Sequence, residues 1–415
     1  MSEGRRMTAV TEVERKEEAK KRMEQKVLGL RGDDAVAYAA RQANVDVISA
    51  YPITPQTIMV EELSRFVANG WIKAKYINME SEHSAMSGCI GAALVGARTF
   101  TATASQGLAY MHEALYAASG LRCPTVMAVA CRALSAPLNI HGDHSDVYGS
   151  RDSGWMQVFC ENAQESYDMT LAAFKLAEDE KVLTPIMVNL DGFITSHSLE
   201  RVNILPDEVV NHYLPSRTAS LKLDTDKPVT FGAMALPDYY FEFKRQQEGA
   251  MAEAYRLTPK IWRDFAVISG RRYSNVRPYR LNDAEVAIVS MGSTSGTARY
   301  AVDELRNRKV RAGSLNVRLF KPWPGPEIVR ALKNAKAVAV LDRAMSFGAP
   351  GTALFEDIAT TLYALPKPPT LVNYVYGLGG RDVTTAQISK VAEDSLKLAR
   401  QRKKTVPTRY LGVRE

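Results

Sequence analysis

The sequence predicts an α/β protein: a doubly wound unit with a parallel sheet, followed by a second α/β unit. Three observations carry this reading. Short apolar runs of strand length recur through residue 195, with helix-compatible sequence and short connections between them. The runs that begin near Val45, Lys75 and Arg98 each end in polar or special-geometry residues at a helix start. In parallel α/β sheets that is the end of the strands where ligands bind. The same alternation restarts at Ala284.

Taken in order, residues 1–26 are charged and poor in apolar side chains, with a helical stretch expected over 12–26; they read as an extension. Residues 28–37 read as a loop, a cap and a helix start, with Asp33 or Asp34 as N-cap and Asn44 ending the helix. Val45-Asp46-Val47-Ile48-Ser49-Ala50 is a strand, stopped by Pro52 and Pro55. A helix over 56–66 and a short extended run over 75–79 follow. After Ser81-Glu82 small residues dominate (Ser84, Ala85, Ser87, Gly88, Gly91), so that helix either packs tightly on a neighbour or leaves room for a ligand at its N-terminus. Further strands are expected over 98–103, 125–130 and 184–190, and helices over 108–119 and 163–177. Between 199 and 282 prolines punctuate a connecting segment with a long polar helix around 239–255. The second unit spans 283–415, with strands expected at 284–290, 309–319, 337–342 and 369–376. The predicted divisions are therefore 1–26, 27–198, 199–282 and 283–415.

The 415 residues are 46% hydrophobic and 24% charged, ordinary for a soluble globular chain. No apolar run reaches the roughly 18–20 residues of a membrane span, and the N-terminus has no apolar signal core, so a cytoplasmic protein is expected. The net charge of +7 gathers at the two ends without any aromatic-interleaved basic stripe, and nucleic-acid binding is not expected. The four cysteines, Cys89, Cys123, Cys131 and Cys160, lack C-x-x-C spacing and read as buried hydrophobes rather than as iron–sulfur or zinc ligands.

Among the candidates for chemistry, Glu82 at a strand end among small residues would lose water if a flat heteroaromatic ring covered it, which favours sharing a proton with a ring nitrogen. Its plainer reading is a helix-start glutamate favoured by the dipole. Arg132, at another strand end, is suited to a bidentate grip on a carboxylate or to a structural ion pair. Thr54 offers a hydroxyl, or caps a helix. Gly292-Ser293-Thr294-Ser295-Gly296 reads as a tight strand–helix turn, with an anion cradle as the alternative. His141, Asp143, His144 and Asp146 share one loop and read as a polar surface or interface loop rather than as a metal site.

Together, Tyr51-Pro52-Ile53-Thr54-Pro55-Gln56-Thr57, Glu80-Ser81-Glu82-His83-Ser84-Ala85, Thr103-Ala104-Ser105-Gln106-Gly107-Leu108, Arg132-Ala133-Leu134-Ser135-Ala136-Pro137 and Gly377-Leu378-Gly379-Gly380-Arg381-Asp382-Val383 resemble the α subunit of 2-oxoacid:ferredoxin oxidoreductases. Arg151-Asp152-Ser153-Gly154-Trp155 and Glu161-Asn162-Ala163-Gln164-Glu165 continue the match, which runs from about Leu28 to the C-terminus. The resemblance implies a thiamine-diphosphate (pyrimidine-binding) domain over 27–198 and a transketolase-C-terminal-like domain over 283–415. It implies oxidative decarboxylation of a 2-oxoacid with CoA to an acyl-CoA and CO2. Glu82 falls on the position of the glutamate that meets the aminopyrimidine ring and promotes its imino tautomer; Thr54 and Arg132 fall on positions that hold the substrate; Tyr51, Pro52, Ile53 and Gln106 join them around the cofactor. The chain has no Gly-Asp-Gly…Asn motif for Mg2+ and the diphosphate, and no cysteine set for a [4Fe–4S] cluster. A β subunit is expected to bring the former, and γ and ferredoxin-like δ subunits the clusters. Pyruvate is the first expected substrate, since residues 132–137 are most similar to pyruvate-type members. Aryl or branched-chain 2-oxoacids (phenylglyoxylate, 2-oxoisovalerate) stay open, as does NAD through an extra subunit in place of ferredoxin. Two other classes remain: a thiamine-diphosphate decarboxylase or transketolase-like enzyme without iron–sulfur partners, and a non-catalytic assembly subunit.

Overall fold

The computed structural model describes residues 24–401 and 406–414; the extension, and the helix expected over 12–26, lie almost wholly outside them. In chain order the elements are β1 (Lys26–Leu30), α1 (Gly32–Gln42), β2 (Val47–Ala50), α2 (Thr57–Ala68), β3 (Lys75–Asn78), α3 (Glu82–Leu94), β4 (Thr99–Thr103), α4 (Ser105–Tyr110), α5 (His112–Gly120), β5 (Val126–Cys131), α6 (Ser145–Gly149), β6 (Met156–Phe159), α7 (Ala163–Ala177), β7 (Ile186–Asp191), β8 (Glu200–Ile204), α8 (Asp207–Tyr213) and α9 (Pro237–Ser269). They continue with β9 (Val276–Tyr279), β10 (Val286–Ser290), α10 (Thr294–Asn307), β11 (Ala312–Val317), β12 (Leu319–Lys321), α11 (Gly325–Leu332), β13 (Ala337–Asp342), α12 (Ala353–Tyr363), β14 (Thr370–Tyr376), a 3-10 turn (Leu378–Gly380), α13 (Thr385–Arg400) and β15 (Arg409–Leu411).

Among the described residues, seven strands form the first sheet in the order β12-β6-β7-β5-β4-β2-β3, parallel except at β12. Six form the second, β15-β14-β13-β10-β11-β9, parallel except at β9. Central strands such as β5 and β7 are buried at every position, because helices cover both faces of the sheet and neither face meets water. On one face α1, α2 and α7 close a core around Ile48, Phe100, Tyr167 and Phe174. On the other, Met127, Val129 and Met187 pack in one cluster with Val289, Leu315 and Phe320 from the second half of the chain.

Several elements differ from expectation. Residues 26–30 are a strand rather than a loop, paired antiparallel with β8; the ribbon is half exposed and interrupted by Gly29, so it carries no strong period. The N-cap of α1 is Arg31, whose N–H and guanidinium both donate to Asp34, placed at N3. The helix expected over 108–119 breaks at Met111 into α4 and α5. Helix α9 is longer than expected and runs through Pro259. Proline removes the donor that Tyr255 O would otherwise receive, and the Thr258 hydroxyl donates to that oxygen instead at 2.9 Å.

The run expected over 309–319 is two strands, and the second leaves its own sheet. After β11 the chain crosses at Arg318, which is buried and donates to both carboxylate oxygens of Glu165 on α7. Strand β12 then closes the edge of the first sheet against β6. The two sheets thus share chain, and Asp191 at the end of β7 meets Ser293, just before α10, and Arg343, just after β13, across a buried polar seam.

Candidate active site

Strand β3 ends at Asn78, and Met79 N–H donates to Ala50 O at 3.0 Å, which pulls the following turn onto the end of β2. Ser81 caps α3, accepting from Ser84 N–H at 3.2 Å. Glu82 is therefore the first helical residue, where the dipole favours an anion. It is only 6% exposed, and its carboxylate makes no hydrogen bond or ion pair among the described residues. Its position is set by shape. A Cβ on Gly107 would lie 2.6 Å from Glu82 Oε1 and 2.5 Å from Thr103 Oγ1, so only glycine lets α4 pass this close. The small residues on α3 pack tightly at Gly88, where a Cβ would strike Met79 Cε at 2.6 Å, whereas Gly91, toward the other end of the helix, faces open space.

The turn after β2 carries Tyr51, Pro52, Ile53 and Thr54, of which Pro52 and Thr54 are exposed. Gln56, fully buried, donates its side-chain N–H to Tyr51 O at 2.8 Å and so fixes the turn from beneath. Arg132 at the end of β5 reaches across to it: Nη1 donates to Thr54 O at 2.9 Å, and Nε to Asn139 O at 3.0 Å. Nη2 keeps its donors, with no partner among the described residues. Burial lowers the affinity of this guanidinium for its proton, yet arginine stays charged at any working pH.

Ser105 opens α4 in a left-handed conformation (φ 51°). Its N–H donates to Asp146 at 2.9 Å, and its hydroxyl lies 2.6 Å from Ala133 O. Gln106 follows, its side-chain oxygen 2.5 Å from that hydroxyl. Contacts therefore run from Glu82 through Gly107 and Ser105 to Asp146, then to Arg132 and Thr54. The structure brings the residues picked out in the sequence into one connected region.

The loop of His141, Asp143, His144 and Asp146, expected at the surface or at an interface, is not at the surface: Asp143, His144 and Asp146 are buried, and the loop bonds Asp191 from the first half of the chain and Arg343 and Gly379 from the second. His144 Nε2 meets Asp191 Oδ1 at 2.5 Å, and its N–H donates to Arg343 O at 2.8 Å. Asp191 accepts also from Ser293 N–H at 2.8 Å and lies 3.4 Å from Arg343 Nη1. The glycine turn at 292–296 is thus a cradle, but the anion in it is the chain's own Asp191. Its partners, with the positive charge of Arg343 among them, outweigh burial and hold that carboxyl well below the usual range. The Gly377–Gly380 run clamps the same loop: Gly379 O accepts from Asn139, Gly380 N–H donates to Gly142 O, and a Cβ on Gly380 would strike His141 Cβ at 2.4 Å.

The four cysteines are buried and free, and burial pushes the Cys89 and Cys123 thiols up to about 12. A cavity of about 870 Å3 lies between α3, α5 and the segment 217–247, and none of the candidate site residues lines it.

Comparison with known proteins decides the family. The profile for the thiamine-diphosphate-binding domain of pyruvate flavodoxin/ferredoxin oxidoreductases matches residues 38–262, and that for core domain II of pyruvate:ferredoxin oxidoreductase matches 284–388. The pyruvate synthase subunit PorA of Thermotoga maritima is 49% identical over 388 residues, covering 92% of this chain and 97% of that one. The chain belongs to the 2-oxoacid:ferredoxin oxidoreductases, as an α subunit. The ketoisovalerate oxidoreductase subunit VorA of Pyrococcus abyssi is 43% identical over 369 residues, covering 88% and 93%. In fold, the α subunit resembles a 2-oxoglutarate:ferredoxin oxidoreductase from Magnetococcus marinus with a TM-score of 0.68 at 19% identity, covering 90% of this chain and 65% of that one. It resembles a split-gene transketolase with a TM-score of 0.54 at 14% identity, covering 90% and 100%. The α/β thiamine-diphosphate fold and the enzyme class thus agree with the sequence reading. Among the described residues no helix is long and apolar enough to cross a membrane.

Proposed function

We propose that this α subunit supplies half of an active site in which thiamine diphosphate is shared with a β subunit, and that the complex oxidises pyruvate with CoA to acetyl-CoA and CO2. The observation that carries the reading is Glu82: a buried carboxylate at a helix start, with no donor among the described residues, fits a ring that brings one. When bound, thiamine diphosphate supplies a carbon nucleophile and an electron sink for the decarboxylation. Glu82 holds the shared proton on the pyrimidine side. Arg132, fixed by two carbonyl oxygens, offers Nη2 to the substrate carboxylate. Thr54 would offer its hydroxyl to the same substrate, and Tyr51, Pro52, Ile53 and Gln106 would wall the cofactor. Mg2+, the diphosphate grip and the [4Fe–4S] clusters belong to β, γ and ferredoxin-like δ subunits, and ferredoxin takes the electrons. The VorA likeness favours a branched-chain 2-oxoacid as the second reading, since such pockets discriminate by a few methylenes.

The test is the intact complex assayed with a panel of 2-oxoacids, CoA and a viologen dye, beside a Glu82→Gln variant. Pyruvate should give the highest kcat/KM. Losing the proton-sharing carboxylate should lower turnover by about a hundredfold or more. Turnover of the variant within about twofold of the unmodified complex removes the proton role.

A further inference from the structure

Asp146 stands outside the residues given a role above, yet three backbone N–H groups converge on it. Its Oδ2 accepts from Ser105 at 2.9 Å and from Arg132 at 2.9 Å, and its Oδ1 accepts from Val147 at 2.8 Å. Ser105 lies two residues beyond the end of β4 and Arg132 one beyond the end of β5, two adjacent parallel strands, so one carboxylate bridges the two ends. Neither amide can find a partner in the sheet ladder, because the strands diverge there into α4 and into the loop of Arg132. The side chain is 3% exposed, and burying a carboxyl is costly unless fixed donors repay it. A second tie lies in parallel, the Ser105 hydroxyl on Ala133 O.

We propose that Asp146 is a positioning residue: it binds the end of β4 to the end of β5 and thereby sets Arg132 against the Ser105–Gly107 turn on which Glu82 rests. The inference builds on the half-site reading of Glu82 and Arg132. Its chemistry is distinct from theirs, for both oxygens of Asp146 are engaged by backbone N–H groups. Without the bridge the two strand ends splay, and the guanidinium loses its fixed distance from the turn. Arg132 would grip the substrate carboxylate in the bound ground state, before that group leaves as CO2, so the loss falls on KM more than on kcat.

The experiment compares Asp146→Ala and Asp146→Asn in the assembled complex, with Glu82→Gln alongside. In Asp146→Ala, KM for the 2-oxoacid should rise by about tenfold or more while kcat stays within about threefold. Asp146→Asn should recover much of this, because one amide oxygen still serves both Ser105 and Arg132. Asp146→Ala with KM within about twofold, or Asp146→Asn no better than Asp146→Ala, overturns the proposal. Should the alanine variant not assemble, amide exchange in the unmodified complex decides. The Ser105 and Arg132 amides should exchange far more slowly than those of exposed Leu138 and its neighbours, and equal rates overturn the bridge. Full activity in Glu82→Gln sinks the half-site reading itself; an inactive Glu82→Gln beside an unaltered Asp146→Ala sinks only the bridge.

Discussion

Gly107→Ala puts the placement of Glu82 to a direct test. The added Cβ would sit 2.6 Å from Glu82 Oε1 and 2.9 Å from its Cγ, against an ordinary contact of 3.4 Å or more, so the carboxylate must retreat by about 0.8 Å. Thr103 Oγ1, at 2.5 Å, is buried without a hydrogen bond among the described residues and can turn aside. Neither group is tied down, so the stability cost should be near the low end of overpacking, about 1 kcal/mol. The catalytic cost should be larger, because a misplacement of about 1 Å is worth about a hundredfold. We expect kcat for viologen reduction to fall ten- to a hundredfold, by about 1.4–2.7 kcal/mol in the barrier, with Tm nearly unchanged. Gly91→Ala on α3, the helix that Glu82 opens, meets nothing within 4 Å and serves as the control. A Gly107→Ala complex turning over within about twofold of the unmodified one would refute the link between this packing and the chemistry.

Other outcomes follow from the buried charges. Asp191→Ala leaves Arg343, 3% exposed, without its carboxylate; removing one partner of such a pair costs about 3–5 kcal/mol, visible as a Tm lowered by several degrees. The carboxyl of Asp191 is held low, so its contribution is present above pH 4 and is lost only as pH falls further. Asp146 has the opposite sign: burial pushes its carboxyl up to about 7. Folding takes up a proton there, so this contribution is whole below about pH 4 and fades as pH climbs through 7, on the order of 4 kcal/mol. Tm measured from pH 5 to 8 should therefore fall less steeply in Asp146→Asn than in the unmodified chain, and an unchanged slope counts against it. Arg132→Lys cannot serve Asn139 O, Thr54 O and a substrate carboxylate together, and KM for the 2-oxoacid should rise by roughly tenfold or more. Alkylation at pH 8 should leave Cys89 and Cys123 unmodified in the native chain, since burial pushes both thiols up to about 12.

Much of this was legible before any coordinates. Strands such as β10, β13 and β14 declare themselves because a parallel strand covered on both faces is an unbroken apolar run. Glu82, Thr54 and Arg132 lie at the strand ends where the pattern puts them. What escaped was anything decided by long-range pairing. The β1–β8 ribbon joins residues about 170 apart in sequence and has no period to betray it. The 141–146 loop is rich in charge and gives no local sign of burial, yet its His144 ring meets Asp191, its Asp143 accepts from Gly379 N–H and its backbone donates to Arg343 O, and none of these is near it in sequence. The 292–296 turn has the composition of an anion site and is one. Only the pairing partner, an aspartate from the other sheet, could not be read locally. Asp146 had no signal of its own beyond being a carboxylate in a crowded loop.

The crossing at Arg318 has a practical outcome for anyone cutting the gene. A fragment ending near residue 283, the natural place to stop if the halves were independent, would carry β6 as a bare sheet margin, because Leu319 and Lys321 cover it. Glu165 would also lose its guanidinium. Such a piece would be expected to pair with its own copies through that margin, so activity lost on truncation would report stickiness rather than the absence of a catalytic group.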